Sequence, residues 1–335
     1  MSTINWNPDG LWVRTLESHT VGEPTRIVYD GFPEPEGETM AEKKQWLEAH
    51  ADQLRSAILC EPRGHKDMVG AVLCRPCDPE ADLGVVYMDA YRWINMCGHA
   101  SMGVAYAAVK TGMIQRSDPV TTVRLDTPAG LVSVQVTEEG NCTLYNVPSY
   151  LALSDCAVEL DGRRIPFRVA FGGTFFALVD LRDLGLGIDR LDIPVLVAYA
   201  KRFLAEANRA YTVSHPLQPI ERIVNAEFYE PVDPTAGKFR NIVISEQGEI
   251  DRSPCGTGTC AELAALVGEG ILSAGQPLLN TNFLGVSFLA NVAAPAQIGP
   301  FPGILPAVTG RAYLTGRSEY WLDPEDPCRN GFLIG

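Results

Sequence analysis

Basic residues are scarce in this chain of 335 residues, which has 27 lysines and arginines against 41 aspartates and glutamates. A protein that follows the phosphates of a nucleic acid needs a clustered positive surface, so the acidic balance excludes that class of partner. An anionic substrate must then be bound by local hydrogen-bond donors, because the overall field repels it.

Long apolar runs are also missing. No segment reaches the roughly 18 apolar residues that a membrane span requires, and residues 1–10 lack the basic and apolar regions of a signal peptide. We therefore expect a cytoplasmic protein with no membrane partner. Nine cysteines are an odd number for such a chain, so a disulfide framework is not expected and most cysteines should be small buried residues.

The chain contains an internal repeat. Residues 97–114 (CGHASMGVAYAAVKTGMI) and 255–272 (CGTGTCAELAALVGEGIL) align without gaps. Each copy begins Cys-Gly, has a hydroxyl residue four positions on, and ends in a glycine with two apolar residues (Ser101 and Thr259; Gly112 and Gly270). Each predicts a helix that is apolar almost all round, is therefore buried, and is ended by its glycine. The repeat indicates two similar halves.

The remaining sequence predicts an α+β fold with many strands and few helices. Helical spacing of apolar residues predicts helices over 40–59 and 194–211. Runs rich in β-branched residues, separated by Gly and Pro, predict strands over 11–29 (broken at 19–24), 70–74, 84–88, 121–125, 131–136, 142–147, 168–170, 175–179, 222–229 and 241–245.

Cys97 and Cys255, the first residues of the two copies, indicate proton transfer at carbon. A helix N-terminus lowers the pKa of a thiol, and its unpaired N–H groups bind anions. Two such termini facing each other would hold one carboxylate and place a sulfur on each face of its α-carbon. Removing the proton on one face and returning it on the other inverts the centre with neither PLP nor metal.

Three neighbouring features fit this chemistry. Glycines at 98, 256 and 258 allow the backbone to approach a ligand closely. Asp251 could accept a hydrogen bond from a substrate ammonium, although an Asp before a turn is often only a cap. His99 could bond the amine or the carboxylate, although a lone His is often only structural.

These residues carry a family resemblance. Met96-Cys97-Gly98-His99 and the segment 251–259 (DRSPCGTGT) resemble the two signature motifs of the proline racemase family, and 19–26, 61–65, 126–130 and 172–175 resemble further family blocks. The resemblance implies two mirrored α/β domains, each a curved, mostly antiparallel, barrel-like sheet around a central helix, with the active site between them. It implies domains 1–160 plus 318–335 and 161–317, with the last strand returning to the first domain.

The resemblance also implies roles for individual residues. Cys97 and Cys255 would be catalytic, and the amides of Gly98, His99, Gly256 and Thr257 would hold the carboxylate of a proline or hydroxyproline, with Asp251 and His99 near the amine. No cofactor and no metal are implied, and a homodimer is one option for the assembly.

Two cysteines favour inversion, because the family's trans-3-hydroxyproline dehydratases replace one cysteine by Ser or Thr. Val69 and Ser245 stand where proline racemases carry Phe, so they leave space for a ring hydroxyl and favour 4-hydroxyproline 2-epimerase. Asn225 stands where epimerases often have His, and Asn95-Met96 is closer to the racemase pattern, so proline racemase stays the alternative.

Two other thiol chemistries compete with this interpretation. Cys97 and Cys255 could form the reversible disulfide of a redox protein, which would need no carboxylate site. Cys74-Arg-Pro-Cys77 is a CxxC motif, but it has no second ligand pair for zinc and does not start a helix. We interpret Cys74 and Cys77 as incidental thiols near a turn.

Overall fold

The computed structural model describes residues 10–190 and 192–334. The helices in this part of the chain are α1 (Met40–His50), α2 (Asp52–Leu59), α3 (Gly98–Thr111), α4 (Ile193–Ala210) and α5 (Gly256–Gly268). The strands are β1 (Leu11–Thr20), β2 (Glu23–Asp30), β3 (Val69–Cys74), β4 (Leu83–Asp89), β5 (Trp93–Ile94), β6 (Val120–Thr127), β7 (Gly130–Thr137), β8 (Asn141–Tyr145), β9 (Ser149–Leu160), β10 (Arg163–Phe171), β11 (Phe175–Asp180), β12 (Ile223–Asp233), β13 (Lys238–Ser245), β14 (Leu278–Asn282), β15 (Ser287–Ile298) and β16 (Phe301–Leu322).

All sixteen strands belong to one continuous, mostly antiparallel sheet, in the order β1-β2-β3-β4-β6-β7-β8-β16-β15-β14-β13-β12-β11-β10-β9 with β5 beside β4. Additional pairings of β16 with β1 and with β9 curl each end of the sheet back on itself. The predicted fold class, a curved α+β sheet, is confirmed.

Helices α3 and α5 are the two helices that the repeat predicts, and both are enclosed by the sheet. Ten residues of α3 and eleven of α5 are buried. This is expected for helices whose residues are small or apolar on all sides. Gly112 ends α3 in the left-handed conformation, with φ of 79°. In α5 the last helical residue is Gly268, and the predicted stop, Gly270, lies two residues later with φ of 71°.

The predicted helix over 40–59 is wrong in one respect, because it is two helices. Ala51 separates α1 from α2 with φ of −132°, outside the helical range, although its N–H still bonds the carbonyl of Leu47. Its side chain is fully buried, so the break turns α2 while α1 and α2 both stay packed on the same apolar cluster. No helix in the described ranges is long and apolar enough to cross a membrane.

Strand β16 pairs with strands from both the N-terminal and the C-terminal parts of the chain. Its first residues pair with β15, its middle pairs with β8, and its last residues pair with β1, where Leu11 lies opposite Leu322. Both α3 and α5 contact this strand. The return of the last strand agrees with the resemblance, and the domain boundaries at 160 and 317 stay a prediction.

Candidate active site

The N-termini of α3 and α5 meet at two glycines. A Cβ built on Gly98 would lie 3.1 Å from the Cα of Gly256, and a Cβ on Gly256 would lie 3.1 Å from the Cα of Gly98. This contact distance is tighter than most Cβ contacts, so the absence of side chains lets the two helix starts approach backbone to backbone.

The facing helix starts present free backbone donors. The first bonds inside the helices run from Ser101 N to Cys97 O and from Thr259 N to Cys255 O. The amides of residues 98, 99, 256 and 257 precede these bonds and have no acceptor within their own helices. Four N–H groups and the positive ends of two helix dipoles therefore converge, which makes an anion site in an otherwise acidic protein.

The structure brings all the site residues predicted from the sequence to one cavity of about 330 Å³. Its lining includes both cysteines, the residues at both helix starts, and the residues that the sequence assigned to the substrate ring and amine: Val69, Cys97, Gly98, His99, Asn225, Ser245, Asp251, Cys255, Gly256 and Thr257. These residues come from both halves of the chain, so the cavity lies between the halves.

The thiol of Cys97 is buried against the ring of His99. Its Sγ lies 3.4 Å from His99 Nδ1. Burial lowers the pKa of His99, and the Pro24 carbonyl accepts a hydrogen bond from the ring. The imidazole is therefore neutral at pH 7, and the ring nitrogen without a proton can accept a hydrogen bond from the thiol.

The thiol of Cys255 lies in a different local geometry. Its residue has φ of +62°, a left-handed conformation that is rare outside glycine and recurs at functional sites. Sγ accepts a hydrogen bond from Gly258 N at 3.4 Å and lies 3.6 Å from the hydroxyl of Thr257. The hydroxyl residues of the two repeats both bond nearby carbonyls, Ser101 to Cys97 O and Thr259 to Pro254 O.

Burial raises the pKa of both thiols well above the ordinary value of a cysteine, and backbone hydrogen bonds from Ala100 and Gly258 oppose this only in part. The sequence predicted the opposite direction, because it showed the helix N-termini and not the depth of the cavity. Both cysteines are only 8% exposed, and desolvation of the thiolate outweighs the helix dipole. Without a ligand, both groups are neutral thiols at pH 7.

This gives a testable pH dependence. A raised pKa means that the thiolate fraction grows only as the pH rises through and beyond about 9, so alkylation of Cys97 and Cys255 by iodoacetamide should be slow at pH 7 and accelerate steadily to pH 10. Peptide mass mapping measures each site separately. Pyrrole-2-carboxylate, a planar carboxylate, should protect both. Alkylation that is already maximal at pH 7 would contradict the pKa direction.

Asp251 lies at the cavity beside the loop before Cys255. Its Oδ1 accepts hydrogen bonds from the backbone N and the hydroxyl of Ser253, both at 2.7 Å, which leaves Oδ2 for a substrate ammonium. Ser253 in turn accepts a bond from Cys255 N. Asp251 therefore caps the turn before Cys255, which is the structural alternative given above, and its carboxylate also lines the cavity.

The predicted ring-side residues are neighbours. Asn225 of β12 pairs directly with Ser245 of β13, and Val69 lines the same cavity from β3. The sequence missed Glu249, which also lines it. Ser245 donates its hydroxyl proton to Glu249 Oε2 at 3.0 Å and accepts from Glu249 N at 3.1 Å. Burial and nearby Asp89 raise the pKa of Glu249 to about 9.

The other cysteines lie elsewhere. Burial raises the pKa of Cys74 to about 12, which disfavours the thiolate that a redox thiol needs. The backbone N–H groups of Cys77 and Asp78 bond Asp126 in a turn. Cys260 is fully buried inside α5. Within the described residues, no group of three or more His, Cys, Asp or Glu side chains could hold a metal ion.

Known proteins resemble the chain over nearly its whole length. The model of the proline racemase family matches residues 15–333. Proline racemase from Acetoanaerobium sticklandii is 40% identical over 330 residues, covering 96% of this chain and 98% of the relative. 4-Hydroxyproline 2-epimerase from Streptosporangium roseum is 37% identical over 325 residues, covering 95% and 97%. A crystal structure of a hydroxyproline epimerase from Agrobacterium vitis with bound trans-4-OH-L-proline has a TM-score of 0.91 at 30% identity, covering 99% of this chain and 96% of that one. The chain belongs to the proline racemase family.

Proposed function

We propose that this enzyme inverts the α-carbon of a proline-type imino acid between Cys97 and Cys255, without a cofactor, and that its substrate is 4-hydroxyproline. The observation that carries the proposal is that two thiols and four free helix-start amides line one cavity between the halves. A carboxylate on those amides would present the faces of its α-carbon to opposite helix starts.

In this mechanism, the amides of Gly98, His99, Gly256 and Thr257 bind the carboxylate, and Asp251 with His99 binds the ring ammonium. Substrate binds to the enzyme form in which one of the two thiols has lost its proton to solvent. That thiolate takes the α-proton while the other sulfur gives its thiol proton to the opposite face. Negative charge that develops on the carboxylate in the transition state is stabilised by preoriented N–H groups in a dry site. After inversion the two sulfurs have exchanged protonation states.

The choice of hydroxyproline depends on the polarity of the ring side. At the position where the resemblance implies Phe in proline racemases, this cavity has Ser245, which donates a hydrogen bond to Glu249. Because its pKa is raised to about 9, Glu249 is a neutral carboxylic acid at pH 7 that can donate to or accept from a ring hydroxyl. Proline would leave this buried polar pair facing a CH₂ group.

We expect trans-4-hydroxy-L-proline to be epimerised about tenfold more efficiently than L-proline, because leaving a buried polar group unpaired costs about 1–3 kcal/mol. Ser245→Phe should fill the space and reverse this preference. Ser245→Ala is the matched control, since it removes the hydroxyl without filling the space and should not raise proline turnover. The measurement is kcat/KM by polarimetry for both substrates, in EDTA and without added PLP.

Three outcomes would contradict the substrate assignment, and the first two of them would leave inversion intact. A wild-type preference for proline would favour the racemase alternative. Equal losses of both substrates in Ser245→Phe would mean that position 245 does not contact the ring. Water loss from trans-3-hydroxyproline, with no inversion of either substrate, would favour the dehydratase alternative. A thiol redox protein would show none of these reactions and no binding of pyrrole-2-carboxylate.

A further inference from the structure

Two acids are buried beneath α5 in a part of the fold that the proposed mechanism does not use. Glu227 lies on β12 and Glu262 on α5, and both are fully buried together with Asn241 of β13 and Asn280 of β14. A carboxylate in such a place is costly unless it is hydrogen-bonded. The four side chains therefore form one polar cluster in an apolar interior, which we call the acid cluster.

Hydrogen bonds in the acid cluster satisfy one oxygen of each acid. Asn241 Nδ2 donates to Glu227 Oε1 at 2.6 Å, and Asn280 Nδ2 donates to Glu262 Oε2 at 2.6 Å. The other two oxygens, Glu227 Oε2 and Glu262 Oε1, have no donor. Asn280 Nδ2 also reaches Glu227 Oε1, at 3.4 Å, so the two buried carboxyl groups lie side by side and one of them must be protonated. The pair therefore shares one proton.

The pair keeps one negative charge. Arg168, the cation that acts on both acids, already pairs with Glu269 at 2.6 Å. Burial raises the pKa of both acids. Glu227 is the ionised member, because it accepts from two amides, Asn241 and Asn280, while Glu262 accepts from Asn280 alone. At and above neutral pH the remaining charge therefore lies mainly on Glu227.

The acid cluster adjoins Cys255. Glu227 Oε2 would lie 2.7 Å, and Cys255 Sγ 3.3 Å, from a Cβ built on Gly258, so the carboxylate and the sulfur share the space beside this glycine. Asn241 Nδ2 also donates to Pro254 O at 2.7 Å, just before Cys255. The repeat offers no counterpart for Cys97, because Val104 occupies in α3 the place that Glu262 has in α5.

We propose that Glu227 is a positioning residue for Cys255. Because Glu227 and Glu262 share one proton, a negative charge stays beside the sulfur and keeps Cys255 a neutral thiol until substrate binds. Cys255 is thereby prepared to give a proton, whereas the carboxyls that act on Cys97 are Asp251, Glu23 and Asp89. This goes beyond the proposed function, and it depends on that function only for its consequence in catalysis.

Other charged groups face the two sulfurs, and one of them, Asp251, is common to both. Asp251 acts on Cys97 and on Cys255, Glu23 and Asp89 act on Cys97, and the neutral ring of His99 contacts Cys97. Glu227 is the carboxyl that acts on Cys255 alone among these. When the pH falls below the pKa of Glu227, the pair gains a second proton and the charge disappears, so its effect belongs to neutral and alkaline pH.

The test compares two isosteric variants by the pH dependence of iodoacetamide alkylation. Cys255 is followed in a Cys97→Ser background and Cys97 in a Cys255→Ser background, so no turnover is needed. Glu227→Gln should lower the pH midpoint for Cys255 by about one unit, since a like charge within a few ångströms is removed, and should leave Cys97 unchanged. Glu262→Gln is the matched control, because its amide can still donate to a charged Glu227, and it should leave both midpoints in place.

Two results would overturn the proposal: equal shifts of the Cys255 midpoint in Glu227→Gln and Glu262→Gln, or no shift of that midpoint in Glu227→Gln. A cluster with only a structural role would affect Cys255 in the same way in both variants. If Glu227→Gln does not fold, infrared spectroscopy of the folded control decides: the difference spectrum between wild type and Glu262→Gln should show the loss of one buried protonated carboxyl band, apart from the band of Glu249 that both proteins keep. Retention of that band would equally overturn it. A catalytically inactive but normally titrating Cys255 would contradict the proposed function and leave this inference standing.

Discussion

Replacing either Cys97 or Cys255 by serine is expected to lower the rate of inversion roughly 10³-fold or more, since a general acid or base supplies about 10²–10⁴ in rate. A serine hydroxyl neither ionises at neutral pH nor matches a thiol as an acid. Binding of pyrrole-2-carboxylate, measured by calorimetry, should persist, because the carboxylate is held by backbone amides. The remaining thiol can still exchange the α-proton with deuterium on its own face.

Cys260→Ala is the matched control for these variants. Cys260 lies in α5, five residues after Cys255, and is fully buried away from the cavity lining. Its replacement should cost some stability and leave kcat/KM within a few-fold of the wild type. A Cys97→Ser or Cys255→Ser enzyme that keeps near-full epimerase activity would refute the two-thiol mechanism.

The double variant Gly98→Ala/Gly256→Ala is expected to lose roughly 100-fold in kcat/KM, because misplacing reacting groups by about 1 Å can cost that much. Each new Cβ would lie 3.1 Å from the Cα of the opposite residue, and two facing methyl groups need more room than that. The helix starts must separate, which moves both sulfurs and the amides between them. Alanine is a better helix former than glycine, so the loss should not reflect weaker helices.

Gly268→Ala provides the control, because it makes the same substitution in the last turn of α5. Its Cβ would lie 3.4 Å from the side chain of Leu151, an ordinary contact, and activity should be unchanged. Thermal unfolding measured beside kcat/KM separates the two effects. Full activity in the double variant would mean that close approach of the helix starts is not needed for catalysis.

The site was largely predictable because its residues are local. Cys97 with Gly98 and His99, and Cys255 with Gly256 and Thr257, occupy consecutive positions in two copies of one pattern, and a helix start shows itself in sequence by its cap and its small residues. The two central helices and their burial followed from the same repeat, since residues such as Ala105 and Ala264 leave no polar face.

The features that the sequence could not predict depend on residues that are far apart in the chain and close together in the fold. The pKa direction of both thiols follows from the depth of a cavity closed by two halves. Glu249 acts through Ser245 in a turn whose geometry no spacing reveals. Glu262 is the one acid in the apolar helix α5, but its partner Glu227 is 35 residues away in sequence. Only the folded chain brings both acids to the amide of Asn280.

Strand β16 has a consequence for how the enzyme keeps its symmetry. Helices α3 and α5, which begin at the two cysteines, both pack on this one strand of 22 residues. The strand therefore sets the distance between the two helices. An enzyme that inverts a carbon in both directions must offer the same spacing to both epimers of its substrate. A single strand, paired with neighbouring strands along its length, sets that spacing, so opening the cavity requires the strand to bend.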